Sequence, residues 1–318
     1  MARNRVLVVG PLLDFALADL ERHFDVQRVP QGIGVAALPS DDAQAVEALV
    51  LAAAVDTAFI ESFPRLRIIA NFGVGYDNLP VQRCAELGII VVNTPDVLSA
   101  DVADTAVALV LLAVRHFSAA ERYLRAGRWA AEGIYPLTPS LTGRRIGVLG
   151  FGRIGRTIAR RFSGFDAALS YCDVAPHAES TATWYGTATE LAANVDVLVA
   201  ALPGGEATRR MVNAAVLAAL GPDGIFVNVG RGTAVDQSAL IDALRQRTIA
   251  AAGLDVYESE PNLPAELLAL DNAVLLPHMA SGTTASRQGM SRLVTDNLVA
   301  FFTTGRALTP VPETPNPA

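Results

Sequence analysis

The sequence predicts an α/β protein built from two doubly wound parallel-sheet domains. Short apolar runs alternate with helical patterns along almost all 318 residues, which is typical of parallel sheets covered by helices on both faces. The alternation forms two separate series, and the second opens with a glycine-rich turn. The chain is also longer than one small core usually supports, so two domains are expected.

The first series begins at Arg5 and continues to about Thr94. Apolar runs predict strands near residues 5–9, 47–53, 67–72 and 89–92, and helical patterns lie near 14–23, 56–63 and 80–87. One long helix follows over 101–126, with Ser99 as its cap and Gly127 at its end. Its faces are mostly apolar, so we expect it to be buried between domains or subunits.

The second series begins at Arg145, and its six predicted strands match the count of a Rossmann domain. They lie near residues 146–149, 167–172, 196–201, 224–229, 251–256 and 273–277. A last helix near 284–304 has no strand after it, so we expect it to return to the first domain. The dinucleotide-binding domain, 98–281, would then be inserted into a substrate domain made of 1–97 and 282–318. The proline-rich tail, TPVPETPNPA, is expected to be disordered.

The glycine-rich turn has the spacing G-x-G-x-x-G, at Gly150, Gly152 and Gly155. An apolar run leads into it and an amphipathic stretch leaves it, which is the setting of a dinucleotide-binding fingerprint. The first glycine permits the tight turn, the second lets a pyrophosphate approach the backbone, and the third lets helix and strand pack closely. The turn therefore predicts dinucleotide binding.

Composition excludes several classes of partner. The formal net charge of −7 argues against binding to nucleic acid or to an anionic membrane surface. The longest apolar run, 106–114, is too short to span a bilayer. Cys84 and Cys172 lie in apolar runs and make no disulfide framework, so we expect reduced cysteines and a cytoplasmic location. The basic residues are all arginine, which excludes Schiff-base chemistry on a lysine.

Asp173 ends the second strand of the nucleotide domain, about 20 residues after the glycines. A carboxylate at this place accepts hydrogen bonds from the ribose hydroxyls and repels a 2′-phosphate. The residues that follow, VAPHAES, contain no arginine, and His177 is their one possible cation. NAD is therefore expected in preference to NADP, unless Asp173 only caps its loop.

Three polar segments follow later strands: NVGRGTAVD, GLDVYESEP and LLPHMASGT. Because ligands bind beyond the carboxyl ends of parallel strands, Arg231, Glu260 and His278 are expected to converge on the nicotinamide. A planar arginine fork suits a keto acid, and a histidine backed by a carboxylate can exchange the proton of a carbonyl reduction. Composition alone leaves Glu258 as a rival to Glu260, and no metal site is predicted.

At these residues the chain resembles the D-isomer-specific 2-hydroxyacid dehydrogenases. The resemblance covers NFGVGYDN, SLTGRRIGVLGFGRIGR, VNVGRGTAVD, GLDVYESEP and LPHMASGT, in this order and spacing. It implies catalytic roles for Arg231, Glu260 and His278, selecting Glu260 over Glu258. It also implies that the substrate is bound by the backbone N–H groups of Val74 and Gly75, by Arg231 and by Ser281.

The resemblance further implies the cofactor contacts. They are Thr105, Gly150, Gly152, Arg153, Ile154, Gly155, Asp173, Leu202, Pro203, Thr208, Val229, Gly230, Arg231, Asp255 and His278. Asp255 would accept a hydrogen bond from the nicotinamide carboxamide. Members of the family are usually dimers built on the nucleotide domain, and the long helix 101–126 is consistent with a homodimer.

Within the family the chain looks most like the glyoxylate/hydroxypyruvate reductases. Members that prefer NADPH often carry an arginine just after the second strand, where this chain has Val174, which again favours NADH. The expected function is hydride transfer between NAD(P)H and a small 2-keto acid, giving the D-2-hydroxy acid. The alternatives are a dehydrogenase of D-lactate, D-3-phosphoglycerate or a bulkier D-2-hydroxy acid, and a dinucleotide-sensing binding protein.

Overall fold

The computed structural model describes residues 3–29 and 40–317. The chain forms two compact units, one of Met1–Leu98 with Thr283–Ala318 and one of Ser99–Gly282. Each unit contains a parallel sheet, and both together confirm the predicted α/β class.

The sheets differ in size and strand order. The order is β2-β1-β3-β4-β5 in the first unit and β12-β11-β10-β9-β6-β7-β8 in the second. The first order is that of flavodoxin-like sheets and the second extends the Rossmann order by one strand. The strands are β1 (Arg5–Val9), β2 (Asp25–Val29), β3 (Val46–Leu51), β4 (Ile68–Asn71), β5 (Ile90–Val92), β6 (Arg145–Leu149), β7 (Ala168–Cys172), β8 (Thr183–Tyr185), β9 (Val197–Ala200), β10 (Ile225–Asn228), β11 (Ala251–Leu254) and β12 (Ala273–Leu275).

Helices cover both sheets. They are α1 (Asp14–Glu21), α2 (Ser40–Ala45), α3 (Thr57–Glu61), α4 (Val81–Glu86), α5 (Ser99–Val114), α6 (Phe117–Arg125), α7 (Arg128–Glu132), α8 (Arg153–Phe162), α9 (Ala188–Ala193), α10 (Ala214–Leu220), α11 (Gln237–Arg245), α12 (Ala265–Leu268) and α13 (Thr284–Thr304). Helix α13 packs against α1 and β4, so its apolar side joins the core of the first unit.

Two strands have no counterpart in the sequence prediction, β2 and β8. Strand β2 reads DVQRV and β8 reads TWY, and both are only partly buried. Each lies at an edge of its sheet, where one side faces no neighbouring strand. Polar residues are tolerated at such positions, which removes the apolar run that signals a buried strand.

The prediction of one long helix over 101–126 is wrong, because the chain bends by 62° between α5 and α6. His116 stands at the bend with φ of 50°, a left-handed conformation that ends the helical hydrogen-bond pattern. Helix α5 is buried against β10 and β11, where Gly253 leaves room for Leu109. Helix α6 is instead exposed on most faces, so the two halves have different surroundings.

The tail from 309 is ordered rather than disordered as far as Pro317. Pro310 forms an antiparallel bridge with Val92, and the Val91 N–H donates to Thr314 Oγ1 at 2.9 Å. Strand β5 ends the five-stranded sheet, so its outer edge needs hydrogen-bond partners. The tail supplies them and buries Val311, which a reading of composition alone does not reveal.

No single helix within residues 3–29 and 40–317 is long and apolar enough to cross a membrane. The bent pair α5–α6 reaches the necessary length and apolar composition only when its two helices are taken together.

Candidate active site

The glycine-rich turn connects β6 to α8. Gly150 has φ of 88°, which strongly favours glycine, and a Cβ on Gly155 would lie 2.0 Å from the Gly150 carbonyl oxygen. A Cβ on Gly152 would meet no atom within 4 Å, so this glycine leaves open space above the turn. The three positions therefore differ in the way a dinucleotide-binding turn requires.

Helix α8 begins directly after Gly152, which supplies no side-chain cap. The first N–H groups of a helix lack partners within it, and they attract anions together with the helix dipole. Arg153 occupies the first helical position and Ile154 the second. This uncapped N-terminus beside an open glycine fits the pyrophosphate of a dinucleotide.

Asp173 follows β7, and its carboxylate is held by its own loop. Oδ2 accepts the Phe151 N–H at 2.9 Å and lies 3.2 Å from His177 Nε2, while Oδ1 accepts the Val174 N–H at 2.7 Å. Burial would raise the pKa of Asp173, but these hydrogen bonds outweigh it and lower the pKa below its ordinary value. The carboxylate is thus ionised and occupied by internal partners, with a histidine beside it.

His278 and Glu260 form a short side-chain contact within the site. Nδ1 of His278 lies 2.6 Å from Glu260 Oε2, and the Tyr257 N–H donates to Glu260 Oε1 at 2.8 Å. Burial would raise the pKa of Glu260, but these bonds and the nearby positive charge of Arg231 keep it below its ordinary value. An ionised carboxylate at Nδ1 orients the ring and leaves Nε2 for a substrate.

Glu258, the rival carboxylate, has a different partner. Its Oε1 accepts a hydrogen bond from Arg210 Nη2 at 3.0 Å, at the protein surface. The geometry therefore distinguishes the two candidate carboxylates, since Glu260 contacts His278 and Glu258 does not.

Arg231 lies on the turn after β10. Asn228 fixes this turn from both sides, because its Nδ2 donates to the Arg231 carbonyl and its Oδ1 accepts the Gly230 N–H, each at 3.0 Å. A Cβ on Gly232 would lie 1.8 Å from the carbonyl carbon of Tyr257. The Arg231 turn is therefore packed directly against the segment that carries Glu260.

Asp255 is almost fully buried and serves the loop of His278. Its Oδ1 accepts the Met279 N–H and its Oδ2 the Ala280 N–H, both at 2.8 Å, and its carbonyl accepts the His278 N–H at 2.9 Å. Burial raises its pKa despite these bonds. Both carboxylate oxygens are engaged by the loop, whereas the resemblance implies a contact with the nicotinamide carboxamide.

Tyr257 is a site residue that the sequence interpretation missed. Its hydroxyl lies 2.7 Å from the Leu276 carbonyl oxygen and 3.1 Å from that of Leu254, and so it bridges the ends of β11 and β12. Burial raises its pKa, which keeps the hydroxyl protonated as a donor. The aromatic residue in the motif GLDVYESEP was the available signal, but a buried tyrosine is usually assigned to the core.

The remaining predicted cofactor residues lie at the same edge of the second sheet. Thr208 Oγ1 donates to the Pro203 carbonyl at 2.7 Å, and a Cβ on Gly230 would lie 2.5 Å from the Leu202 oxygen. Val229 follows β10 directly, Thr105 Oγ1 lies 3.4 Å from the Ala280 carbonyl oxygen, and Ser281 is partly buried after the His278 loop. Their predicted contacts with a cofactor or substrate remain predictions.

In the first unit, the predicted substrate-binding residues Val74 and Gly75 lie on the loop after β4. Asn71 Nδ2 donates to the Gly75 carbonyl at 2.9 Å, and Asn93 Nδ2 donates to the Val74 carbonyl at 2.8 Å. The loop is therefore held by side chains of its own unit. Sequence reasoning missed these asparagines, although Asn71 is the first residue of the motif NFGVGYDN that contains the loop.

Together the fold and these residues define an oxidoreductase that uses a nicotinamide dinucleotide. Residues 107–280 match the family model described as D-isomer specific 2-hydroxyacid dehydrogenase, NAD binding domain. The chain belongs to the D-isomer specific 2-hydroxyacid dehydrogenase family.

Relatives with assigned names support this membership over nearly the whole chain. The hydroxyphenylpyruvate reductase of Plectranthus scutellarioides is 40% identical, covering 96% of this chain and 98% of the relative. The glyoxylate/hydroxypyruvate reductase A of Arabidopsis thaliana is 39% identical, with coverage of 96% and 98%. The NADPH-dependent glyoxylate/hydroxypyruvate reductase of Sinorhizobium meliloti, solved with NADP and malonate, is 46% identical with a TM-score of 0.96, covering 100% of this chain and 99% of that one.

The expected preference for NAD over NADP is wrong, because that similar structure belongs to an NADPH-dependent enzyme and was crystallised with NADP. The expectation assumed that Asp173 offers a free carboxylate to the ribose. Both oxygens instead accept hydrogen bonds from loop N–H groups, and His177 adjoins the carboxylate. A carboxylate whose oxygens are already engaged by internal hydrogen bonds is less available to the ribose hydroxyls than a free one.

Proposed function

We propose that this protein reduces glyoxylate and hydroxypyruvate to the corresponding 2-hydroxy acids with NADPH. The observation that carries the proposal is the 2.6 Å contact between His278 and Glu260, on the same sheet edge as Arg231. The similarity to glyoxylate/hydroxypyruvate reductases over nearly the full chain supports the choice of small keto acids.

Each of the three residues has a distinct task in such a reduction. The guanidinium of Arg231 binds the carboxylate and keto oxygen of the substrate through its planar donors. Bound NADPH supplies the hydride. His278 donates the proton from Nε2 to the oxygen as negative charge develops there, and Glu260 stabilises the charged form of the ring and fixes its orientation.

The loop of Val74 and Gly75 contributes main-chain donors. We infer that their N–H groups bind the substrate carboxylate, as the family resemblance implies. Neither N–H donates to another group within residues 3–29 and 40–317, so both remain available to a ligand.

The test is an assay of reduced-nicotinamide absorbance with glyoxylate, hydroxypyruvate, pyruvate and phenylpyruvate, each with NADPH and with NADH. We expect the highest kcat/KM for glyoxylate and hydroxypyruvate with NADPH. The variant Arg210→Ala, which removes only the partner of the surface carboxylate Glu258, is the matched control and should retain full activity. Absence of turnover with all four acids, in protein that binds NADPH, would contradict the proposal.

A second candidate substrate is 4-hydroxyphenylpyruvate. It is favoured by the relative from Plectranthus scutellarioides, named a hydroxyphenylpyruvate reductase. The same assay with this acid decides between the candidates, since a higher kcat/KM than that for hydroxypyruvate would make it the better substrate.

We also propose that the protein is a homodimer that associates through the second unit. Five large apolar side chains between residues 117 and 137 are exposed: Phe117, Leu124, Trp129, Ile134 and Leu137. Ile134 and Leu137 are 88% and 98% exposed, and a concentration of such residues in one segment is typical of an interaction surface.

Light scattering tests the dimer directly. Ile134→Asp with Leu137→Asp should convert a dimer to a monomer, whereas Leu268→Asp, at another exposed apolar position of the same unit, should leave the mass unchanged. A wild-type mass equal to the 33.4 kDa of one chain would contradict the proposal.

A further inference from the structure

The loop after β4 presents three successive carbonyl groups, of Gly73, Val74 and Gly75, and each is held by a specific donor of the first unit. Asn71 Nδ2 lies 3.3 Å from the Gly73 oxygen and 2.9 Å from the Gly75 oxygen. Asn93 Nδ2 donates to the Val74 oxygen at 2.8 Å. The Thr94 N–H donates to the Gly73 oxygen at 3.0 Å. Asparagine amides therefore donate hydrogen bonds to all three carbonyl oxygens of this loop.

Holding a carbonyl also sets the direction of the next N–H. A peptide group is planar and trans, so its C=O and its N–H point in opposite directions. The Gly73 carbonyl thus fixes the Val74 N–H, and the Val74 carbonyl fixes the Gly75 N–H. Because each carbonyl points toward its donor, the N–H group of the same peptide points away from that donor, and neither N–H group donates to another group within residues 3–29 and 40–317.

The asparagines are themselves fixed. Asn71 is 3% exposed, and its Oδ1 accepts a hydrogen bond from Asn78 Nδ2 at 3.0 Å. Asn78 Nδ2 also lies 3.1 Å from the Ala53 oxygen and so joins the loop to the segment after β3. The Asn93 carbonyl accepts the Thr309 hydroxyl at 2.7 Å, which ties this residue to the C-terminal tail.

We propose that Asn71, Asn78 and Asn93 are positioning residues that aim the Val74 and Gly75 N–H groups at the substrate carboxylate. This rests on the proposed function, in which that loop binds the carboxylate. Amide side chains suit the task, because they donate to carbonyls without placing a charge beside an anion site. A lysine in their place would attract the anionic ligand directly, and an aspartate would repel it.

The test compares glyoxylate with methyl glyoxylate, which keeps the carbonyl and lacks the charged carboxylate. In Asn93→Ala the Gly75 N–H loses its fixed direction, so KM for glyoxylate should rise roughly tenfold while kcat changes little. The kinetic constants for the ester should stay near those of the wild type. The dissociation constant of NADPH, measured by fluorescence, should not change.

Asn272→Ala is the matched control, because Asn272 Nδ2 also donates to two main-chain carbonyls, those of Leu244 and Ala250, in the second unit. Asn272→Ala should leave the ratio of kcat/KM for glyoxylate to kcat/KM for methyl glyoxylate unchanged. Asn93→Ser is the milder second variant if Asn93→Ala does not fold, and it should change the ratio in the same direction. An unchanged ratio in folded Asn93 variants would overturn the inference.

Failure of the proposed function has a different signature. Wild-type protein that reduces no keto acid contradicts the function, and malonate then serves as the probe of the loop. Calorimetric titration of the NADP⁺-loaded enzyme with malonate should show weaker binding to Asn93→Ala than to the wild type and to Asn272→Ala. Equal malonate affinity in all three proteins would overturn the inference without reference to turnover.

Discussion

The two units place different chemistry at equivalent edges of their sheets. In the second unit the strands end in ionisable side chains, namely Asp173, Arg231, Asp255 and, on the loops that follow, Glu260 and His278. In the first unit β4 ends at Asn71, and neutral asparagine amides hold the loop of Val74 and Gly75. The doubly wound fold supplies the edge in both cases, and the local residues decide whether it carries ionisable side chains or a loop held by neutral amides.

This difference has a physical reason. A reacting carbonyl needs a proton donor whose charge can change, and such groups are the side chains of histidine and the acids. A substrate carboxylate that does not react needs only fixed donors, which two oriented peptide N–H groups provide. We therefore expect substitutions at the charged edge to lower kcat and those at the amide edge to raise KM.

The largest expected effect is that of His278→Asn. Without a proton donor the charge on the substrate oxygen is not neutralised, so kcat should fall by about 10³-fold or more. Fluorescence titration should give an NADPH affinity close to that of the wild type. Retention of wild-type turnover would remove the distinction between the two edges.

Glu260→Gln should lower kcat by about 10²-fold and change its dependence on pH. The pKa of the Glu260 carboxylate is below its ordinary value, so in the wild type it stays ionised until the pH falls through that lowered pKa, and kcat should decline only there. The variant has no carboxylate to protonate at this position, so its kcat should lack this decline on the acid side of the profile. The same acid-side decline in Glu260→Gln as in the wild type would contradict the assigned role.

Gly232→Ala should destabilise the protein by about 3 kcal/mol, because the new Cβ would lie 1.8 Å from the Tyr257 carbonyl carbon. Gly88→Ala in the first unit is the matched comparison. Gly88 has φ of 69° but open space around it, so only backbone strain of about 1 kcal/mol opposes alanine there. Urea denaturation measures both, and similar losses would show that the charged edge is not tightly packed.

The smallest expected effect concerns charge at the opposite edge of the second sheet. Asp196 accepts hydrogen bonds from the Arg145 side chain at 2.6 Å and from the Arg145 N–H at 2.8 Å, and these lower its pKa. The pair is partly exposed, so Asp196→Asn should cost less than about 1 kcal/mol at pH 7. The lowered pKa of Asp196 stabilises the fold at pH values above the ordinary pKa of an aspartate, which is near 4. The difference in stability between the wild type and Asp196→Asn should therefore disappear as the pH falls below that value. A loss of kcat in this variant would contradict the confinement of catalysis to one edge.

The fold class, the glycine turn and the family can be predicted from the order of the residues alone, because each depends on local spacing. Alternating apolar runs encode buried strands, and the glycines at 150, 152 and 155 are needed where side chains would block the backbone. The edge strands β2 and β8 and the bend at His116 were missed, because exposure and a single left-handed residue leave almost no periodic signal.

The pairing of polar groups could not be predicted in this way and is visible only in the folded chain. Glu258 and Glu260 are two residues apart and have the same side chain. Glu258 nevertheless pairs with Arg210, and Glu260 pairs with His278. Asp173 reads as a free carboxylate in sequence, but its oxygens accept hydrogen bonds from its own loop. Hydrogen bonds form between groups that are distant in sequence and require a fixed direction, so they follow from the assembled chain and not from residue spacing.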